Sequence, residues 1–188
     1  MPETRQPIEA FGQSLAELTA AIEARGGPPP VDRWDPPHCG HSGMRIARDG
    51  SWYHEGRPIE RPAMVRLFAS VLRREPDGSH MLVTPVEKLT IDVELTAFRA
   101  TQMTMSGQGK ERRIGLTLDS GDGLVIGPAH PLSVVDTDQG PSPRVHVRFG
   151  LEAELARPLY YELADIALEE GHNPPGIWSE GAFFPLVA

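Results

Sequence analysis

Apolar positions recur along this chain with two periods, and the alternation between them sketches its elements. Over residues 12–25, Leu15, Leu18 and Ile22 share one helical face, and Ser14 with Glu17 forms a capping box. Gly26-Gly27 and then Pro28-Pro29-Pro30 end that helix. From Met44 to Glu55 the pattern suits a hairpin, with Asp49-Gly50 expected in a type I′ turn. Arg61-Pro62 opens a second helix whose residues Met64, Val65, Leu67, Phe68, Val71 and Leu72 leave only a narrow polar stripe. A helix so apolar is expected to be central and packed on several sides.

Beyond Asp77-Gly78 the period falls to two. Strands are predicted over 80–84, 88–95, 98–105, 112–118, 123–126, 132–136 and 144–149, as an antiparallel meander with Gly107-Gln108-Gly109 as one of its turns. Residues 151–170 read as a helix, broken or restarted at Pro158 and stopped at Gly171, and 177–187 as a closing strand pair. The class expected is α+β: an N-terminal helix over 1–25, an α+β lobe over 26–79 and a second α+β lobe over 80–188.

Part of this pattern occurs twice. Glu17-Leu18, Gly26 and Pro29-Pro30 return at one constant offset as Glu162-Leu163, Gly171 and Pro174-Pro175. The hairpins match as I-x-x-acid-G-x-aromatic-aromatic, at Ile46 to Tyr53 and Ile177 to Phe184. An internal duplication giving two small lobes follows, each copy running helix, Gly stop, Pro-Pro, hairpin. A competing alignment pairs Arg61-Pro62 with Arg157-Pro158, so the boundaries of the repeat stay open.

Charge changes the picture more than overall composition does. The net charge is -8, which argues against a polyanion such as nucleic acid as partner. Residues 44–75 nevertheless carry seven Arg against four acids, whereas 150–188 carry seven acids against the single Arg157. No run reaches the roughly 18 apolar residues of a membrane span, and Met1 to Arg5 does not begin a secretory signal. With one cysteine, Cys39, no internal disulfide can form, and a cytoplasmic location without a membrane partner is the expectation.

The candidate chemistry is sparse. His38, Cys39 and His41 are proper zinc ligands, but a closed site needs a fourth, and no second ligand pair stands at recognisable spacing. The chain has no G-x-S-x-G, H-E-x-x-H or Walker sequence, and no cofactor motif, so no cofactor is expected. Asp92 and Glu94 share a strand face, as a solvated face also requires. Pro85 should break a strand and bring Thr84, Glu87 and Lys88 to its mouth, and Pro128 with Pro131 presents His130. Trp52 and Trp178 lie in the matched hairpins, with Arg45, Arg48 and Glu180 expected at the rim of a cleft between lobes and Arg61 as a further ligand contact.

Several stretches resemble an uncharacterised bacterial group, the domain-of-unknown-function family numbered 1285. They are Pro36 to Gly40, Met44 to Trp52, Arg61 to Phe68, Leu82 to Lys88, Gly127 to Leu132, Gly176 to Ser179 and Gly181 to Leu186. The resemblance implies a duplicated α+β fold whose C-terminal half is loosely similar to pleckstrin-homology-like domains, and a role in signalling or regulation. It also leads one to expect an acid just before Met44, where this chain has His41-Ser42-Gly43. The expectation is therefore a non-enzymatic protein that binds a small anionic ligand or a protein partner through the interlobe cleft. The alternative is a metal- or thiol-dependent enzyme built on His38, Cys39 and His41.

Overall fold

A computed structural model of the protein describes residues 29–188. The helix expected over 12–25, with the Gly stop of the first repeat copy, lies outside the described residues. The chain divides into two compact units between Leu95 and Thr96.

The first unit opens with a 3-10 turn, Val31–Arg33, followed by β1 (His38–Ile46), β2 (Trp52–His54) and β3 (Arg57–Pro58). Helix α1 (Pro62–Ser70) leads into β4 (Leu72–Arg74), β5 (His80–Val83) and β6 (Lys88–Val93). The six strands form one sheet in the order β3-β2-β1-β6-β5-β4. All neighbours are antiparallel except β1 and β6, which run parallel with Arg45 opposite Asp92.

The second unit holds β7 (Phe98–Ser106), β8 (Arg113–Leu118), β9 (Gly123–Ile126), β10 (Leu132–Thr137), β11 (Gly140–Arg148) and β12 (Leu151–Leu155). Helix α2 (Arg157–Glu170) and a separate hairpin, β13 (Gly176–Ser179) with β14 (Ala182–Pro185), follow. Its sheet order is β9-β8-β7-β12-β11-β10, with β7 and β12 parallel. This is the order of the first sheet, strand for strand. Each sheet is two three-stranded meanders joined where the first and last strands meet side by side, and a mixed α+β duplication is thereby established.

The repeat differs from the one legible in the sequence. The hairpin at Ile46 to Tyr53 belongs to the first six-stranded sheet, whereas its counterpart at Ile177 to Phe184 stands apart as β13–β14. Their turns differ as well. Asp49 keeps ordinary backbone, with only Gly50 at positive φ (89°), because its Oδ1 accepts the Ser51 N–H at 2.9 Å. Glu180 and Gly181 are both left-handed, at φ 48° and 74°, which is the type I′ turn expected at Asp49-Gly50.

Three further expectations are corrected. Strands β5 and β6 complete the first sheet, so the first lobe runs to Leu95 and not to residue 79. Residues 151–155 form a strand, not the start of a helix: Leu151, Ala153 and Leu155 are buried while Glu152 and Glu154 are half-exposed, a period of two. The helix begins at Arg157, with Pro158 in its first turn, where a missing N–H costs nothing. Finally, α1 is peripheral. Of its nine residues only Phe68 and Ala69 are buried, because Val71 lies at the C-cap and Leu72 already belongs to β4.

Both cores follow from alternation. Ile114, Leu116 and Leu118 of β8 point inward, as do Leu89 and Ile91 of β6. No helix among the described residues is long and apolar enough to cross a membrane.

Candidate ligand-binding groove

Where β3 hands the chain to α1, the first unit has an open groove of about 690 Å³ lined by His54, Glu55, Arg57, Ile59, Glu60, Arg61 and Met64, with Pro58 beneath. Its shape comes from two local facts. Glu55 and Gly56 take left-handed conformations, φ 48° and 78°, and fold β3 tightly back on β2 with His54 opposite Arg57. The Ile59 N–H then bonds the Trp52 carbonyl at 2.8 Å, which ties the turn into α1 to the edge of the sheet.

The helix start at the groove is electropositive. Arg61 stands at the N-cap in extended conformation, and no side chain caps the helix. Pro62 lacks an N–H, the Met64 and Val65 N–H groups turn back to the Arg61 carbonyl, and no acid lies in the first turn. The dipole of the helix therefore meets the groove with no acid in the helix's own first turn. Arg57 and Arg61 are both exposed, and neither makes an ion pair among the described residues. Glu55 and Glu60 line the same groove, so it offers both signs of charge on an apolar floor of Ile59 and Met64.

The other residues proposed from sequence are dispersed. Arg45 pairs with Glu94 and lies over the Tyr53 ring, 4.4 Å from its centroid. The Arg48 backbone N–H donates to the other Glu94 oxygen at 3.0 Å. That bond, with the Arg45 contact, holds the Glu94 carboxyl below its ordinary pKa. Trp52 is core, stacked on Phe68 at 6.3 Å between centroids. Thr84 is buried and its hydroxyl accepts the Glu87 N–H at 3.2 Å, closing the β5–β6 turn. Lys88 lies 3.5 Å from Glu75, an ion pair within the first unit. Glu87 is 7% exposed; burial raises its pKa, and its Oε1 has no hydrogen-bond partner among the described residues.

In the second unit, His130 Nδ1 meets the His146 carbonyl at 3.0 Å, in the short link where β9 turns into β10. Trp178 packs against Phe183 and under the Lys110 ammonium, which lies 4.9 Å from its ring centroid. Glu180 pairs with Arg113 at 2.9 Å. Close by in sequence but missed by sequence reasoning, Arg112 is buried and pairs with Glu170 at 2.5 Å, which holds the Glu170 carboxyl below its ordinary pKa.

The zinc-competent residues do not converge. They lie on one strand, which sends consecutive side chains to opposite faces. His38 bonds the Thr90 hydroxyl at 2.8 Å, Cys39 donates to the Pro37 carbonyl at 3.4 Å, and His41 meets Asp92 at 3.3 Å. Among the described residues no three His, Cys, Asp or Glu side chains form a group that could hold a metal. Of the groove, sequence reasoning identified Arg61 and missed His54, Arg57 and Met64. The available signal was Arg61-Pro62 itself, a helix start whose N-cap is a cation instead of Ser, Thr or Asp.

Comparison with known proteins agrees with this architecture. The model of the DUF1285 N-terminal domain, a domain of unknown function, matches residues 29–96, and that of the DUF1285 C-terminal domain matches 97–186. The crystal structure of a DUF1285 family protein from Silicibacter pomeroyi DSS-3 is 43% identical, covers 89% of this chain and 94% of its own, and superposes with a TM-score of 0.80. A DUF1285 family protein from Shewanella baltica OS155, 23% identical, shares the fold at a TM-score of 0.51 over 66% of this chain and 91% of its own. No curated protein matches the chain. With both domain models matched in order across residues 29–186, the chain belongs to the DUF1285 family.

Proposed function

We propose that the protein is a non-enzymatic binding protein of regulatory type, and that it holds a small phosphate- or carboxylate-bearing ligand in the groove at the start of α1. The observation that carries this reading is the uncapped helix start, free of acids in its first turn, with unpaired Arg57 and Arg61 in the same groove. Among the described residues only the Ala63 N–H of this first turn is left without a backbone acceptor, and it and the helix dipole together favour an anion there. Two guanidinium forks add bidentate contacts that a carboxylate or phosphate matches. Ile59 and Met64 would take an apolar portion of the ligand, and Glu55 and Glu60 would disfavour a ligand that is anionic throughout. A curled sheet followed by a helix, as in the second unit, would also suit the pleckstrin-homology-like likeness that the sequence leads one to expect, and with it a regulatory role.

The test is a thermal-shift screen of phosphate monoesters and carboxylates on the full chain. At a ligand concentration about 100 times Kd, binding to the folded state alone adds about 2.7 kcal/mol of stability. The expected result is a shift for at least one ligand that Arg57→Ala and Arg61→Ala each abolish while leaving the ligand-free Tm in place. No shift with any anion at millimolar concentration overturns the reading.

A further inference from the structure

The two α-helices among the described residues present solvent faces of opposite character, and no other described residue covers either face. On α2, Leu163 and Ala167 are buried, and the opposite side carries Tyr161 at 59% and Leu168 at 68% exposure. Tyr161, Asp165 and Leu168 follow one another at i, i+4 and i+7, with Glu162 and Glu169 beside them. These three acids are exposed and form no ion pair among the described residues, and the only cation on that side is Arg157 at the helix start. On α1, Phe68 and Ala69 are buried, and the opposite side carries Ala63 and half-buried Leu67, with Met64 turned to the groove four residues before Phe68. Arg66 is exposed at the edge of that side and forms no ion pair among the described residues, with Arg61 and Arg57 near the helix start.

One side is thus apolar and acidic, the other basic with small or half-buried apolar residues. We infer that the α1 face of one copy of this chain docks on the α2 face of a second copy, as a weak head-to-tail contact. Arg66 meets the Glu162, Asp165 and Glu169 row, and Ala63 and Leu67 meet Tyr161 and Leu168. Charge complementarity sets the partner and the mode together. Pairing α1 with α1 or α2 with α2 would oppose like charges, so a symmetric dimer through either face is disfavoured and the contact is heterologous. Such a contact leaves one face of each kind free at its ends and continues into short oligomers as concentration rises. Two short helices bury less than a standard interface of about 1,600 Å², which makes the association weak. It is also sensitive to salt, because its charges are solvent-exposed.

The test is sedimentation velocity of the full chain from about 5 to about 200 µM, concentrations that span weak association. It compares the wild type with Arg66→Glu and with Glu162→Arg/Glu169→Arg. The wild type should associate at about 50 mM salt and lose at least tenfold in association constant at about 500 mM. Each variant alone should be monomeric, since its own two faces now repel. An equimolar mixture of the two should associate again, because one junction keeps the original charges and the other has them exchanged. Equal Tm values for variants and wild type ensure that the rescue is not a matter of folding. A wild type that is monomeric at about 200 µM and low salt overturns the inference, as do variants that associate alone or a mixture that stays monomeric. Arg66, Glu162 and Glu169 do not line the α1 groove, so the variants leave its anion contacts Arg57 and Arg61 in place.

Discussion

The two units solve the same topological problem with different pieces. In each, two three-stranded meanders meet along a parallel pair, which leaves the last strand of the first meander and the first strand of the second as the two sheet edges. In the first unit the chain crosses between those edges through α1, which lays Phe68 against Trp52. In the second the crossing is short, and Gly127 and His130 bond each other's backbone there. The apolar and polar cover comes instead from the end of the chain. Ser179 of β13 accepts the Ile114 N–H of β8 at 3.1 Å and donates to the Ile126 carbonyl of β9 at 2.6 Å. A duplicated sheet thus kept its strand order while the element that covers its edges changed, and the groove with its basic helix start arose only where a helix does the covering.

That contrast predicts where each unit is vulnerable. The largest effect is expected from Phe68→Ala, which empties the space against Trp52. Such a truncation costs about 3–5 kcal/mol. Hydrogen exchange should show protection falling across β1 to β6 and not across β7 to β12. Equal loss in both units would break the claim that α1 closes only its own sheet. Next comes Ser179→Ala, which removes from two buried backbone groups the hydroxyl they share, at a cost of about 2–4 kcal/mol. In urea titrations the Trp178 signal should shift to lower denaturant, and a shift confined to the other two tryptophans would contradict the role given to β13.

The smallest effect is a pH response confined to the first unit. His80 on β5 is held down to about 4 from an ordinary 6.5, chiefly by burial and then by the Arg74 charge. The folded state therefore binds the proton more weakly than the unfolded chain does. Its contribution is fully present above pH 6.5 and is lost as pH falls from there toward 4. Allowing for the partial exposure of the ring, the loss is about 1–2 kcal/mol. His80→Gln should flatten this part of the stability profile of β1 to β6, read by hydrogen exchange at pH 7 and pH 5. An unchanged slope would mean that other groups carry it.

Much of this was legible because it is local. Alternation marked β8 from Ile114 to Leu118, and Gly171, at φ 67° with its N–H on the Ala167 carbonyl, ended α2 as its sequence signal required. The errors fall where local signals are ambiguous. Leu151-Glu152-Ala153-Glu154-Leu155 is built of good helix formers, yet its side chains alternate between core and solvent once β11 and β7 lie beside it. Asp49-Gly50 fits two turn geometries, and the Ser51 N–H selects between them. The groove was only partly legible. Arg61 stood out as a cation before a helix-starting proline, whereas His54, Arg57 and Met64 reach it through a tight turn at Glu55-Gly56 that carries no Asn or Asp.

By itself, then, the sequence determined what most segments can be: an α+β chain with two related halves, the start of α1 and the stop of α2, most of its strands, and a basic stretch after Met44. It could do so because capping, turn chemistry and the period of apolar residues act over a few positions. Tertiary structure alone decided which strands run parallel, which hairpin joins a sheet and which stands apart, and which arginines are used up in ion pairs. Those choices join residues far apart in the chain, such as Arg45 with Glu94 or Ile114 with Ser179. They depend on which buried polar groups find partners, and no short stretch of sequence contains both halves of such a pair.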